Sequence, residues 1–316
     1  MRKVFNILLA VMMSVVLAFS LTACKTPDDG GNDDKGLLIK KIGEVYTIYD
    51  FVDDGTLVDG TLDIGAILAE KELDNVTIKK GAFDGVDTIS KLIVSDRVTE
   101  IEEGAFRKMQ NLVELELPFV GKNAMADARF NQTDAQVNKS TGKERTIAHL
   151  FGTESYDGGA EITSAYGKVY LPVTLTTLTI NATSNVKYES GDKTGYAIPY
   201  EAFQGATNLT RINLVGENIF EIGEKAFGDC THLTSIIIPE TVKTIHKDAF
   251  LGCINMSKVN STDAMTVNFS SFNANNTIIL EGAFDFRKEN AKYKVENVGT
   301  YESALELIFG DTEFIN

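Results

Sequence analysis

One pattern recurs along this chain and restricts the folds that it can adopt. The dipeptide Ala-Phe occurs six times in the same context, each time with an isoleucine five residues before the phenylalanine. Two copies follow each other directly, at Phe227 and Phe250, and set a period of 23 residues. Apolar residues at constant offsets over such a period indicate a solenoid, in which each unit buries its apolar side against its neighbours. The six phenylalanines are Phe83, Phe106, Phe203, Phe227, Phe250 and Phe284.

Each unit predicts a short strand and a return segment. After the first five phenylalanines, apolar residues follow at six, nine and eleven positions, with Ser261 as the exception. The alternation at the end of this run predicts a parallel strand, which Pro239 ends in the clearest unit because proline cannot donate to a sheet. The Ala-Phe segment predicts a short helical turn. The fold class is therefore α/β, with short parallel strands stacked in one sheet, short helical turns opposite, and a column of phenylalanines between them.

The repeat also resembles a known family. The run from Ile222 to Pro239, I-x-x-x-A-F-x-x-C-x-x-L-x-x-I-x-I-P, is similar to the leucine-rich repeats of the BspA-like class, which are found on bacterial surface proteins. The resemblance covers roughly residues 78–118 and 172–284. It implies a leucine-rich-repeat solenoid and, by analogy with relatives that look like adhesins, a recognition role. It does not identify a ligand.

The first 24 residues have the pattern of an export segment that ends in a cysteine. Arg2 and Lys3 precede an apolar run that ends in Leu21-Thr22-Ala23-Cys24. A basic start, an apolar centre and small residues before the end predict a secretory signal peptide. The Leu-x-Ala-Cys ending looks like a lipobox, which implies that acyl chains attach to Cys24 and hold the protein on a membrane. The alternative is an ordinary cleaved peptide followed by a chance cysteine.

The remaining boundaries follow from where the repeat is present. Between Phe106 and Phe203 the register is interrupted for 97 residues, about four periods, and the spacing resumes at Leu171. The predicted division is a signal peptide (1–23), a lipidated disordered tether (24–36), an N-terminal cap (37–77), repeat units (78–118), an irregular insertion (119–170), repeat units (171–284) and a C-terminal cap (285–316).

Charge and composition exclude some functions. The chain has 45 acidic and 30 basic residues, a formal charge of -15. Loss of residues 1–23 removes Arg2 and Lys3 and no acid, which gives -17 for the mature chain. Because nucleic-acid binding needs clustered bases, we expect no nucleic-acid partner. The spacing of Asp53, Asp54, Asp59 and Asp63 does not match a calcium loop, so turn chemistry is the simpler explanation.

No pattern predicts catalysis, a metal or a cofactor. His149, His232 and His246 are the only histidines, and no cysteine or carboxylate pair lies at zinc spacing around them. The repeat offsets predict that His232 and His246 are exposed. Cys230 and Cys253 occupy the same offset in adjacent units, where they are expected to be reduced core residues, although a disulfide is geometrically conceivable. We therefore expect a protein that is not an enzyme.

The outward strand positions form the candidate binding face. Eight residues after the phenylalanines, bases occur at Lys91, Arg211 and Lys258, and Ile93 and Ile237 at ten residues are predicted to be exposed beside them. Grouped exposed apolar residues often mark contact sites. The alternative is a solvated sheet face without a ligand. The candidate residues are Lys91, Ile93, Glu114, Arg211, Asn213, Ile237 and Lys258, bordered by Tyr156 and Tyr166 of the insertion.

These observations favour a lipid-anchored, cell-surface, non-catalytic module for binding or adhesion to an extracellular protein or glycan. One alternative is a glycan-binding lipoprotein that assists nutrient capture. Another is a hydrolase within the insertion. The sequence leaves open whether the anchoring membrane is a single envelope membrane or an outer one.

Overall fold

The computed structural model describes residues 35–124, 142–164, 167–186, 188–190, 193–269 and 277–315. The chain divides into two units, Met1–Asp33 and Asp34–Asn316, and every described residue belongs to the second. The predicted signal peptide and Cys24 lie outside the described residues. The strands are β1 (Gly36–Ile42), β2 (Val45–Val52), β3 (Thr61–Asp63), β4 (Val76–Ile78), β5 (Lys91–Ile93), β6 (Val98–Ile101), β7 (Glu114–Leu117), β8 (Gly159–Ser164), β9 (Gly167–Pro172), β10 (Thr177–Asn181), β11 (Tyr188–Ser190), β12 (Lys193–Ile198), β13 (Arg211–Val215), β14 (Ile219–Ile222), β15 (Ser235–Ile237), β16 (Thr244–Ile245), β17 (Lys258–Val259), β18 (Thr266–Asn268), β19 (Ile278–Ile279), β20 (Lys292–Glu296) and β21 (Glu313–Ile315). The helices are α1 (Ile64–Glu70), α2 (Ile147–Phe151) and α3 (Leu305–Phe309), with a 3-10 helix at Gly299–Ala304.

A ten-stranded sheet runs the length of the described solenoid. Its order is β3-β5-β7-β10-β13-β15-β17-β18-β20-β21, and each neighbouring pair is parallel. The residues nine positions after each phenylalanine point inward, as at Ile212 and Ile236, which are paired in register and buried. This sheet confirms the predicted α/β solenoid of stacked parallel strands.

A second row of short strands lies on the return side and was not anticipated from the sequence. It is centred on the isoleucine that precedes each Ala-Phe, so that Ile222 of β14 pairs with Ile245 of β16. β4 and β6 form the same kind of parallel pair near the start of the solenoid. Each regular coil thus contributes one strand to the main sheet and one to the second row. Backbone hydrogen bonds therefore join neighbouring coils on both sides of the core.

The Ala-Phe segments are hydrogen-bonded turns rather than longer helices. Ala226 N–H donates to Gly223 O at 3.2 Å, and Cys230 N–H donates to Phe227 O at 3.2 Å. Adjacent turns are also joined, because Phe227 N–H donates to Ala249 O at 2.9 Å. Each return therefore holds itself in shape and bonds to the next coil.

The phenylalanines stack between the two rows of strands. Phe227 lies 5.2 Å from Phe203 and 5.0 Å from Phe250 between ring centroids, at interplanar angles of 7° and 8°. All three rings are fully buried. Complete burial of a ring of this size contributes about 1.5–3 kcal/mol, so this column is a main source of stability. Each new coil extends the column, as the sequence predicts.

The interrupted region is one enlarged coil. β7 and β10 are direct neighbours in the main sheet, although 59 residues separate the end of β7 at Leu117 from the start of β10 at Thr177. α2 supplies the return of this coil, and its Phe151 packs edge-on against Phe106 at 6.2 Å. Phe106 N–H donates to Leu150 O at 3.0 Å, the same bond that joins regular turns. The 97 residues from Phe106 to Phe203 would be long enough for about four coils of 23 residues. In the main sheet they advance the solenoid by only two strands, from β7 to β10 and from β10 to β13.

Three close contacts fix the enlarged coil in place. Val120 N–H donates to the buried hydroxyl of Tyr196 at 2.7 Å, across 76 residues of sequence. Gly121 has φ +85°, and a Cβ there would lie 2.2 Å from Glu144 O, so only glycine allows the chain to return this close. Lys122 N–H then donates to Glu144 O at 2.6 Å. The chain on either side of the segment from Lys122 to Glu144 is therefore joined through backbone contacts.

Other chain segments continue the aromatic column at both ends. Phe51 of the β1–β2 hairpin stacks on Phe83 at 5.9 Å, and Phe309 of α3 contacts Phe284 at 6.0 Å. Neither ring belongs to an Ala-Phe dipeptide. Both segments cover the ends of the core, which is the role that solenoid caps have.

Candidate functional site

The outward face of the ten-stranded sheet orders its side chains in rows. Parallel pairing in constant register places Lys91, Glu114, Thr177, Arg211, Ser235 and Lys258 side by side, one from each successive strand. The second row, two residues further along each strand, contains Ile93, Glu116, Thr179, Asn213 and Ile237. Adjacent strands lie ~4.8 Å apart, so neighbours in a row are within reach of a common ligand.

The three predicted bases are not equivalent. Lys91 Nζ lies 3.0 Å from Glu114 Oε2, so its charge is already neutralised by a residue of the same row. Arg211 and Lys258 have no carboxylate within 4.0 Å among the described residues. The sequence offsets alone grouped these bases together. In the sheet, Glu114 and Thr177 separate Lys91 from Arg211.

The two isoleucines also differ. Ile237 is 59% exposed and stands beside Asn213 in the second row. Ile93 is only half-buried, between Asp63 and Glu116. The expectation of an exposed side chain therefore holds for Ile237 and not for Ile93, which is half-buried.

Amides fix several outward positions. Asn213 Nδ2 donates to Thr179 Oγ1 at 3.2 Å, and Asn181 Nδ2 donates to Glu116 Oε1 at 2.8 Å. Asn260, directly after β17, accepts from the N–H of Ile238 at 2.7 Å. These contacts hold the polar groups beside Arg211 and Lys258 in defined positions. The sequence analysis missed Thr177 and Thr179, because no Ala-Phe precedes β10 to set the offsets.

The predicted aromatic border is only partly described. Tyr166 lies outside the described residues. The Tyr156 ring packs against Gly159, and a Cβ on Gly159 would lie 2.9 Å from the ring. Burial raises the pKa of Tyr156, and its buried hydroxyl has no hydrogen-bond partner in the described part of the chain. Gly158, two residues after Tyr156, lies close to the side chain of Gln110. Gln110 precedes β7, so this contact is beside the strand and not on its outward face.

The histidines have structural surroundings, and one prediction was wrong. His246 was expected to be exposed, but it is 6% exposed because it packs against Glu221 of the preceding coil, Nε2 to Oε2 at 3.4 Å. His149 is also buried, its Nε2–H donates to Ile101 O at 2.9 Å, and this burial lowers its pKa. His232 is exposed, as predicted.

The two cysteines are free thiols inside the core. Cys230 and Cys253 are buried, and each Sγ–H donates to a backbone carbonyl, of Phe203 and Phe227 respectively, at 3.1 Å. Burial raises the pKa of Cys230 to about 12 and that of Cys253 well above its ordinary value. Both side chains therefore pack as small apolar groups, the first of the two alternatives from the sequence.

The described residues hold no further chemical centre. Within them, no three His, Cys, Asp or Glu side chains are grouped closely enough to bind a metal ion. None of the helices in the described ranges has the length and apolar character needed to cross a membrane.

The repeat identifies the class of protein. A sequence model of the BspA-type leucine-rich repeat region matches six copies, at residues 74–147 and 196–281. The matched segments make up just over half of the chain. The chain therefore belongs to the BspA-type leucine-rich repeat family, and the resemblance inferred from the sequence is confirmed.

Several solved structures are similar at low identity. A leucine-rich repeat protein from Bacteroides ovatus ATCC 8483 is 19% identical, with a TM-score of 0.39, over 77% of this chain and 48% of that one. The chain thus spans about half the length of the Bacteroides protein. A T. pallidum leucine-rich repeat protein is 15% identical, with a TM-score of 0.31, over 80% of this chain and 88% of that one. A leucine-rich cell surface protein from Faecalibacterium prausnitzii A2-165 is 15% identical, with a TM-score of 0.27, over 92% and 99%. No curated protein matches the chain.

Proposed function

We propose that this chain is a lipid-anchored, cell-surface repeat protein that acts as a non-catalytic binding or adhesion module for an extracellular protein or glycan. The supporting observation is the outward face of the main sheet, where Arg211 and Lys258 lack acidic partners among the described residues and flank Ser235, with exposed Ile237 in the next row. Exposed cations beside an exposed apolar side chain are suited to contact another molecule.

The family supports a binding role. Leucine-rich repeat regions generally serve as non-catalytic binding modules, and the similar Faecalibacterium protein is described as a cell surface protein. In a solenoid each coil contacts only its neighbours, so stacked coils form a long continuous surface that can contact a partner. In this proposal the usefulness of the chain comes from the shape and charge of that surface.

The anchor is proposed from the sequence. Acyl chains on Cys24 would hold the protein on the membrane, because two or more chains are needed for stable attachment. Residues 25–36 contain four aspartates and three glycines and no large apolar side chain, which suits a spacer. At most ~3.5 Å per residue, these twelve residues span roughly 40 Å. The face would then be clear of the lipid head groups.

Two experiments test this function separately. The full chain expressed in a bacterial host should partition with membranes and carry acyl chains by mass spectrometry, and Cys24→Ala should release it. An unlipidated wild-type chain would refute the anchor.

The soluble fragment 37–316 tests binding. Immobilised on beads, it should retain proteins or glycans from a matched extracellular extract, and Arg211→Glu with Lys258→Glu should reduce that retention. Lys243→Glu is the control, because Lys243 is exposed but directly precedes β16 of the second row and so lies off the outward face of the main sheet. Unchanged retention by the double variant would remove this face as the binding site.

A further inference from the structure

The outward face of the main sheet is divided by charge. At its N-terminal end, outward positions carry Asp63, Glu114 and Glu116 with one base, Lys91, and at its C-terminal end they carry Glu296 and Glu313 with Lys292 and Lys294. Between these ends, five adjacent strands have no outward carboxylate: β18, with Thr266 and Asn268 at its outward positions, and before it β10, β13, β15 and β17. We refer to the outward residues of the last four of these as the acid-free strip: Thr177, Thr179 and Asn181 of β10, Arg211, Asn213 and Val215 of β13, Ser235 and Ile237 of β15, and Lys258 of β17 with Asn260 directly after it.

The cations of the strip are available to a ligand. Elsewhere on this face, Lys292 pairs with Glu313 at 3.1 Å and Lys294 with Glu296 at 2.6 Å, as Lys91 does with Glu114. Arg211 and Lys258 have no such partner in the described ranges. In a chain with 15 more acids than bases, the strip is a local positive region, with an excess of acid on its N-terminal side and paired charges on its C-terminal side. Such a charge distribution attracts anions to the strip and disfavours them on its N-terminal side.

The spacing of the two cations limits the shape of the ligand. Arg211 and Lys258 are in one register row with Ser235 between them, so they are two strands apart. At ~4.8 Å per strand, their backbones are roughly 10 Å apart along the solenoid axis. An extended peptide places side chains of one face only ~6.6 Å apart and therefore matches this interval poorly. A pyranose unit is comparable in length to one strand spacing, so alternate sugars of a linear chain match it well.

We propose that the acid-free strip binds a linear acidic polysaccharide with a carboxylate on every second sugar, laid across the strands. This inference rests on the proposed binding role and specifies its ligand. Carboxylates of alternate sugars would pair with Arg211 and Lys258, and Arg offers the planar donors that suit a carboxylate. The hydroxyl of Ser235, between the two cations, and the amide of Asn213 in the next row would bond the sugar hydroxyls. Ile237, 59% exposed, would contact the apolar face of a ring.

The test uses hyaluronan oligosaccharides, in which uronate alternates with an uncharged sugar. Binding to the fragment 37–316 is measured by titration calorimetry at low and moderate salt. We expect saturable binding that weakens with salt, and Arg211→Gln and Lys258→Gln should each weaken it roughly ten-fold, as expected for loss of one charge-assisted hydrogen bond of ~1.5 kcal/mol. Lys243→Gln should leave the affinity unchanged. Equal melting temperatures of the variants would show that the fold is intact.

A ligand-side control separates charge from shape. Hyaluronan with its carboxyl groups reduced to alcohols should bind at least ten-fold more weakly. Equal affinity for both forms, or affinity unaffected by Arg211→Gln and Lys258→Gln, would overturn the inference.

The outcomes also separate this inference from the broader proposal. Retention of an extracellular acidic protein through Arg211 and Lys258, without hyaluronan binding, would overturn the inference and leave the binding role standing. Retention of neither proteins nor glycans by the fragment would count against both.

Discussion

The regular coils from Phe203 to Phe284 and the enlarged coil through α2 meet the same packing requirement with different side chains. In the regular coils a turn places Ala beside Phe, and the rings of Phe203, Phe227 and Phe250 stack almost parallel. In the enlarged coil a helix places Leu150 at the alanine position, and Phe151 meets Phe106 edge-on. The two kinds of coil together show that the stack requires a ring and a shared backbone bond at each level, and that the loop carrying them can vary in length and shape.

The largest expected difference concerns the rings themselves. Phe227→Ala should lower the free energy of unfolding by about 3–5 kcal/mol, because the variant removes a fully buried ring. The variant also loses the stacking of this ring on Phe203 and Phe250, and each such aromatic pair contributes ~0.5–1.5 kcal/mol to the free energy of unfolding. Phe151→Ala, with an edge-on contact to Phe106, should cost less. Urea unfolding of the 37–316 fragment measures both variants, and a larger loss for Phe151→Ala would reverse the comparison.

The bond between the two regions gives the next effect. Tyr196→Phe removes the hydroxyl that accepts from Val120 N–H and leaves a buried donor without its partner. We expect a loss of about 1–3 kcal/mol in unfolding free energy. Tyr170→Phe is the matched control, because its hydroxyl donates to Glu161 at an exposed site. Equal, small losses in both variants would mean that the Tyr196 contact does not hold the enlarged coil.

The thermal stability that Cys230 contributes to the regular coils should decrease at alkaline pH. Because burial raises the folded-state pKa of Cys230 to about 12, the neutral thiol is favoured in the folded chain. The resulting stabilisation is complete below the unfolded pKa of ~8.5 and is lost as pH rises toward 12. Melting temperature followed from pH 8 to 11 should fall less steeply in Cys230→Ala than in wild type. Parallel curves would contradict this assignment.

The thermal stability that His149 contributes to the enlarged coil should decrease at acidic pH. We expect this to be the smallest of these four effects on stability. Burial lowers the pKa of His149, so its contribution is present above the unfolded value of ~6.5 and is lost as pH falls through the lower folded value. The melting temperature should therefore decrease from pH 7 to 5, and less so in His149→Gln. His232→Gln, at an exposed position, should keep the wild-type slope.

Sequence reasoning recovered the periodic part of the fold and the offsets of the outward face. It identified Arg211, Ile237 and Lys258 because a constant offset from Ala-Phe reports which way a strand residue points. It did not find the second row of strands, since two or three residues around each isoleucine are too short for a visible alternation. It placed His246 at the surface because an offset cannot show that Glu221 of another coil lies against the ring. The domain boundaries and the candidate binding residues remain predictions.

The amino-acid sequence by itself determined that this protein is a stack of near-equal coils, because burial of Phe, Ile and Leu at fixed intervals has few other solutions. It also determined the excess of negative charge. Only the tertiary structure decided which charges neutralise each other. Lys91 and Arg211 have the same offset, but Glu114 of the next strand pairs with Lys91 and no described acid reaches Arg211. Ion pairing depends on distances of a few ångströms between coils, and that information appears only when residues far apart in sequence become neighbours.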